Sequence, residues 1–259
     1  MEARSTQCPS GFPRDPSRYR ARSDGWIEDR RQSDIDTKYV RPYYLDMGRS
    51  SYRDRLVASG MRTVHQRGFG TIGLREITAA ADVAQGSFTN HFASKEEFGV
   101  AVLDRYFGEM RTIISATLSD QRRRPIERLD DYFDAVMALF AADGWRYGCL
   151  AGNMALEAAE HSERIRHRLV EIFSEWTPPF AQAVSDAQAS GEVRAELDPE
   201  EVAAALIEAW HGAMMRMKIE RSAAPLERFR RVTVPALLAR PGAWGGRADR
   251  AEFNQGDPA

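Results

Sequence analysis

From Ser50 onward the apolar residues of this chain recur every three or four positions and almost never every second one. Leu56, Val57, Met61 and Val64 form a first stripe, which runs to Arg67 and stops where Gly68 follows. Leu74 to Ala81 reads as a short second helix and Gln85 to His91 as a third. Ser94 caps a long fourth helix, with Phe98, Val102, Leu103, Tyr106, Met110 and Ile113 along it and Glu96 and Glu97 at its positive end. Pro125 opens a fifth, carrying Ile126, Leu129, Phe133, Val136, Met137 and Phe140 on one side until Gly144 breaks it. A sixth runs from about Cys149 to Glu160. Ser162 to Ala189 is a long seventh, which Pro178 and Pro179 are expected to interrupt. Asp198-Pro199-Glu200-Glu201 places a capping Asp before a first-turn Pro and starts an eighth helix through Lys218. Pro225 to Leu238 is the last. No strand-like alternation competes with these patterns, so the predicted fold is all-α.

The ends lack this periodicity. Residues 1–46 combine Pro9, Pro13, Pro16, Gly11 and Gly25 with many Arg, Asp and Ser, and read as a disordered tail. Residues 241–259 read as a loose C-terminal tail. Met47 directly precedes the first helical pattern and marks an alternative start of translation, with a functional basic arm as the rival reading of the tail. The pattern between divides into a head, residues 47–95, and a larger helical body, residues 96–240.

Charge sharpens that division. The formal net charge is only −2, yet between Met47 and Lys95 seven basic residues face three acidic ones, while the body is acidic. Such asymmetry suits a polyanion-binding head on an acidic body. No apolar run approaches the roughly 18 residues of a membrane span. With Cys8 and Cys149 as the only cysteines, a disulfide framework is implausible, and the expected compartment is the reducing cytoplasm.

Gly68-Phe69-Gly70-Thr71-Ile72-Gly73 spells the dinucleotide-binding fingerprint, but a helix precedes it where a strand is required. These glycines instead stop one helix and start the next. The chemistry of the head lies further on. Ala84, Gln85, Gly86 and Ser87 open the third helix with small side chains, allowing close approach to a groove wall. Gln85, Thr89, Asn90 and His91 then reach phosphates or base edges, and Asn or Gln pairs bidentately with adenine. Arg75 adds a cation, and Lys95 with the free amides of the fourth helix makes a phosphate clamp. Phe88, Phe92, Ile77 and Val83 supply a miniature core that sets the angle between helices.

Gly68-Phe69, Leu74-Arg75-Glu76-Ile77, Gly86-Ser87-Phe88, His91-Phe92 and Ser94-Lys95-Glu96-Glu97-Phe98 resemble the N-terminal module of TetR-type transcriptional regulators. The resemblance covers roughly Ser50 to Ala239. It implies a homodimer that binds a palindromic operator in double-stranded DNA, with a body holding a small-molecule pocket and the dimer interface. Gln85 stands where the family often has lysine, and Thr89 where it usually has a phosphate-contacting tyrosine. A narrower resemblance, through Gly148-Cys149-Leu150-Ala151-Gly152-Asn153, Glu97-Phe98-Gly99 and Met217-Lys218-Ile219, is to the branch that answers acrylate-type and other electrophilic molecules. Its sensing cysteine and lysine fall on Cys149 and Lys218.

The body also offers Trp145, Tyr147, Asn153, Trp176, Trp210, His211 and Met214 as candidate ligand-pocket residues, with Asn153 and His211 as polar handles for an acid or carbonyl. His161, His167 and His211 lack supporting ligand spacing, so neither a metal nor a cofactor is expected. The expected dimer interface is a four-helix bundle of the last two helices, with Leu206, Trp210, Ala213, Val232, Pro235 and Leu238 as partial candidates. The function expected is a ligand-responsive repressor. A non-switching architectural DNA-binding protein and a Cys149-dependent enzyme remain as alternatives.

Overall fold

The computed structural model describes residues 51–238, so both terminal tails, Met47 and Cys8 lie outside the described residues. Within them every regular element is helical: α1 Tyr52–Arg67, α2 Leu74–Ala80, α3 Gly86–Thr89, α4 Lys95–Ala116, α5 Pro125–Ala142, α6 Leu150–Ala158, α7 Glu163–Ala189, α8 Pro199–Glu220, and a broken last helix. That last helix is α9 Ala224–Arg228, one π-helical turn Phe229–Thr233, then α10 Val234–Leu238.

The starts follow local chemistry. Ser51 and Asp54 cap α1 reciprocally, each side chain accepting from the other's backbone amide. The Ser94 hydroxyl accepts from Glu97 N, and Asp198 accepts from Glu200 N with Pro199 in the first turn. One expected break does not occur, since α7 runs continuously through Pro178 and Pro179. Each internal proline costs about 3 kcal/mol. Ile172, Trp176, Phe180 and Val184 flank the pair and are buried, each contributing roughly 1.5–3 kcal/mol of apolar burial. Tertiary packing therefore outweighs the local penalty.

α1 to α3 form a small head whose core is aromatic. Phe88, Phe92 and Phe98 stack mutually with ring centroids 5.4–5.5 Å apart, over Ile77 and Leu56. Phe98 belongs to α4, so the first turn of the body completes the head's core. Gly60 makes this possible, because any side chain there would overlap the Phe98 ring. In the body, α7 and α8 pack side by side, with α4, α5 and α6 laid against α7. Of the expected interface residues, Leu206, Trp210 and Leu238 are buried inside the protomer's own core, whereas Val232 is exposed and Ala213 and Pro235 are half-buried.

Candidate functional site: a reading head and a body cavity

The turn between α2 and α3 is held from behind. Arg55 of α1 donates to the carbonyls of Ala81 and Asp82 at 2.8 and 2.9 Å, pinning Asp82 in a left-handed conformation (φ 52°). α3 is a single helical turn, shorter than its apolar pattern suggested, and hydrogen bonds from Ser87 N to Ala84 O and from Phe92 N to Phe88 O carry the curl to both sides. Phe88 and Phe92 point into the core. Arg75, Ala84, Gln85, Gly86, Thr89 and Asn90 are exposed, and Ser87 and His91 are half-buried. Lys95 is placed differently from a free clamp. Its ammonium lies 4.8 Å from the Phe69 ring centroid and 3.5 Å from Gly70 O, at the rim of the same face.

The body contains a cavity of about 890 Å³ between α6, α7 and α8. Of the nine expected pocket residues, Cys149, Asn153, His211, Met214 and Lys218 line it, and Trp145, Tyr147, Trp176 and Trp210 do not. Trp176 lies behind His211 and donates from Nε1 to Tyr132 Oη at 2.9 Å. Trp210 packs between Phe133 and Phe229. Trp145 occupies a turn position with φ 61°. Tyr147 packs against His65, and its carbonyl accepts from Asn153 Nδ2 at 2.8 Å. With Lys218 Nζ donating to Asn153 Oδ1 at 3.3 Å, the Asn153 amide is oriented from both ends.

Phe173 and Thr177 from α7, Leu156 from α6, and Ile207 and Glu208 from α8 also line the cavity, and sequence reasoning missed them. The signal was available on α8. Ala204, Ile207, His211, Met215 and Lys218 fall on one face at helical spacing, one step around from Trp210.

Cys149 is the N-cap of α6, and its Sγ receives hydrogen bonds from Tyr106 Oη and Gly152 N, both at 3.4 Å. Burial pushes the thiol pKa up, but attraction to His211 and the surrounding hydrogen bonds outweigh it, so the thiol sits below its ordinary value. Burial likewise pulls His211 down, and its attraction to Cys149 leaves it net raised.

Head and cavity meet at α6. His65 of α1 donates from Nε2 to Gly148 O at 2.6 Å. Burial lowers the His65 pKa, keeping the ring neutral with its proton on the donating nitrogen. At the other end of α6, Glu157 accepts from Gly70 N at 3.2 Å.

This architecture has clear relatives. Residues 56–102 match the family profile described as bacterial regulatory proteins, tetR family, and residues 125–233 match the tetracyclin repressor-like C-terminal domain. The HTH-type transcriptional repressor DhaR of Mycobacterium sp. (strain GP1) is 41% identical over 192 residues, spanning 74% of this chain and 95% of that relative. The chain belongs to the TetR family. Among solved structures, regulatory protein TetR from Rhodobacter sphaeroides is 30% identical with a TM-score of 0.70, covering 73% of this chain and 100% of the other. The reduced form of E. coli NemR is 29% identical with a TM-score of 0.65, covering 73% and 99%.

This TetR-family member is therefore a DNA-binding transcriptional regulator, and family membership removes the enzyme reading. Among the described residues, no group of three His, Cys, Asp or Glu side chains is arranged to hold a metal ion, and no helix is long and apolar enough to cross a membrane.

Proposed function

We propose that this regulator is a cytoplasmic homodimeric repressor that binds a palindromic operator and is released when a small molecule occupies the body cavity. Arg75, Ala84, Gln85, Gly86, Ser87, Thr89, Asn90, His91 and Lys95 are the DNA-facing set, and Cys149, Asn153, His211, Met214 and Lys218 the ligand-facing set. The repressor assignment is supported by the name of the relative DhaR. The electrophilic class of ligand is supported by the resemblance around Cys149 and by the position of its thiol at the cavity wall.

The observation that carries the reading is the placement of α6. One of its faces borders the cavity, and its two ends hold the head through His65–Gly148 and Glu157–Gly70. A ligand that shifts α6 pulls on α1 and on the loop before α2. A contact from Tyr106 to Cys149 extends the same pull to α4, the helix that also carries Met110. The two heads of a dimer must sit about one helical turn, roughly 34–36 Å, apart to share a duplex, and a small rotation of each spoils that spacing. Affinity then falls by linkage.

The test is selection of bound sequences from random duplexes, followed by a screen of reactive and unreactive metabolites for release. An enriched palindrome with a releasing compound is expected. Failure to enrich a palindrome overturns the operator assignment. Enrichment without any releasing compound points to the architectural alternative.

A further inference from the structure

The thiol at the α6 cap has one neighbour whose chemistry is unused elsewhere in the fold. His211 donates from Nδ1 to Ile207 O at 2.8 Å, which leaves Nε2 as the proton-accepting nitrogen of the neutral ring. That Nε2 is sealed from solvent and has no hydrogen-bond partner among the described residues. The ring edge that carries it and the Cys149 sulfur both lie over Gly152. A Cβ at Gly152 would come within 3.3 Å of His211 Cδ2 and 3.9 Å of Cys149 Sγ, so the missing side chain lets imidazole and sulfur share one corner of the cavity. Tyr106 Oη and Gly152 N both donate to the sulfur, an arrangement that favours negative charge on it. Lys218 hydrogen-bonds Asn153 rather than the sulfur.

We infer that His211, and not Lys218, is the positioning residue that takes the Cys149 proton and holds a thiolate ready for a soft electrophile in the cavity. This rests on the electrophile reading above. With an activated alkene, the thiol proton passes to Nε2 and sulfur bonds to the β-carbon. The alkene π pair moves to the α-carbon, which recovers the proton from the imidazolium. One S–C bond forms, nothing leaves, and no oxidant is needed. The other titratable groups around the pair are His65 from α1, Tyr106 from α4, Tyr132 from α5, Glu208 and Lys218 from α8, and Arg221 at the C-cap of α8. α7 contributes the uncharged Phe173, Trp176 and Thr177.

The experiment is the pH profile of Cys149 alkylation by iodoacetamide in the full-length protein, with Cys149→Ser as the blank. In that displacement S–C forms, C–I breaks and iodide leaves with the bonding pair. His211→Asn keeps a donor for Ile207 O and removes the base, and Lys218→Met is the control. The expected result is a profile for His211→Asn displaced upward by about one unit, hence about tenfold slower alkylation at neutral pH. Lys218→Met should leave the profile in place. Should His211→Asn prove unstable, nuclear magnetic resonance titration of His211 is the second measurement, its midpoint falling in Cys149→Ser. An unmoved His211→Asn profile, a Lys218→Met profile that moves instead, or a wild-type thiol inert at every pH overturns the assignment. Whether alkylated wild-type protein lets go of the selected operator tests the electrophile reading separately.

Discussion

The head and the body use their interiors in opposite ways. In the head, three phenylalanine rings fill the centre and the polar side chains between them face outward, so the outer face is rigid because the inside is full. In the body, α6, α7 and α8 leave a cavity of about 890 Å³ between them, and that space is edged by a thiol, an imidazole and an amide. Among the described residues, buried polar atoms without partners, such as Trp210 Nε1 and His211 Nε2, lie in the body, each at a cost of about 1–3 kcal/mol. A probe that must hold one shape is packed solid. A chamber that must admit something gives up cohesion to remain open.

The largest expected effect tests this contrast at the seam. Phe98→Ala removes the ring shared by head and body and should cost about 3–5 kcal/mol, whereas Phe173→Ala at the cavity wall should cost about 1 kcal/mol. Urea denaturation of both variants checks it, and equal losses would mean the head is no more tightly packed than the chamber.

Glu109 sharpens the comparison from the body side of the same seam. Burial pushes its pKa up to about 7, against the pull of Arg105 and Arg62. An acid whose folded pKa is raised is most favourable to folding below its unfolded pKa of 4.5, and that advantage is lost as pH rises towards 7. Glu109→Gln should therefore stabilise the protein at pH 8 by on the order of 2 kcal/mol and change little at pH 4.5, read from melting temperatures at the two values.

Ser94→Ala deletes the cap where α4 begins and should cost about 1 kcal/mol in the same assay. Smallest in stability are Gln85→Ala and Asn90→Ala on the exposed face, at less than about 0.5 kcal/mol. If either residue pairs with a base, its loss relaxes preference at one operator position by about 1–3 kcal/mol, measured by competition binding with single-base variants.

The head was the more legible half because its signals are local. Gly68 ends α1, Ser94 starts α4, and the intervening small residues and aromatics leave few ways to close the turn. Even there, Lys95 could not be placed, since its stacking on Phe69 depends on a contact 26 positions back in the chain. The cavity was legible only in part. Cys149 and Lys218 were found through resemblance, but which face of α8 meets open space depends on how α7 lies against it. The tryptophans misled for a related reason. Large rings suit a wall or a core equally well by spacing, and Trp176 and Trp210 are drawn inward by Tyr132, Phe133 and Phe229. The proline pair in α7 misled in the other direction, a local rule overridden by burial on both sides.

The joint at α6 has an evolutionary corollary. Each of its two contacts pairs one side chain with a main-chain atom, His65 with the carbonyl of Gly148 and Glu157 with the amide of Gly70. The Gly70 amide keeps its partner whatever side chain replaces the glycine, since a Cβ there meets nothing within 4 Å, whereas Gly148, at φ 69°, can be replaced only with backbone strain. The two anchors therefore differ in what they ask of inheritance: one tolerates exchange of its own residue, and the other holds its lineage to glycine.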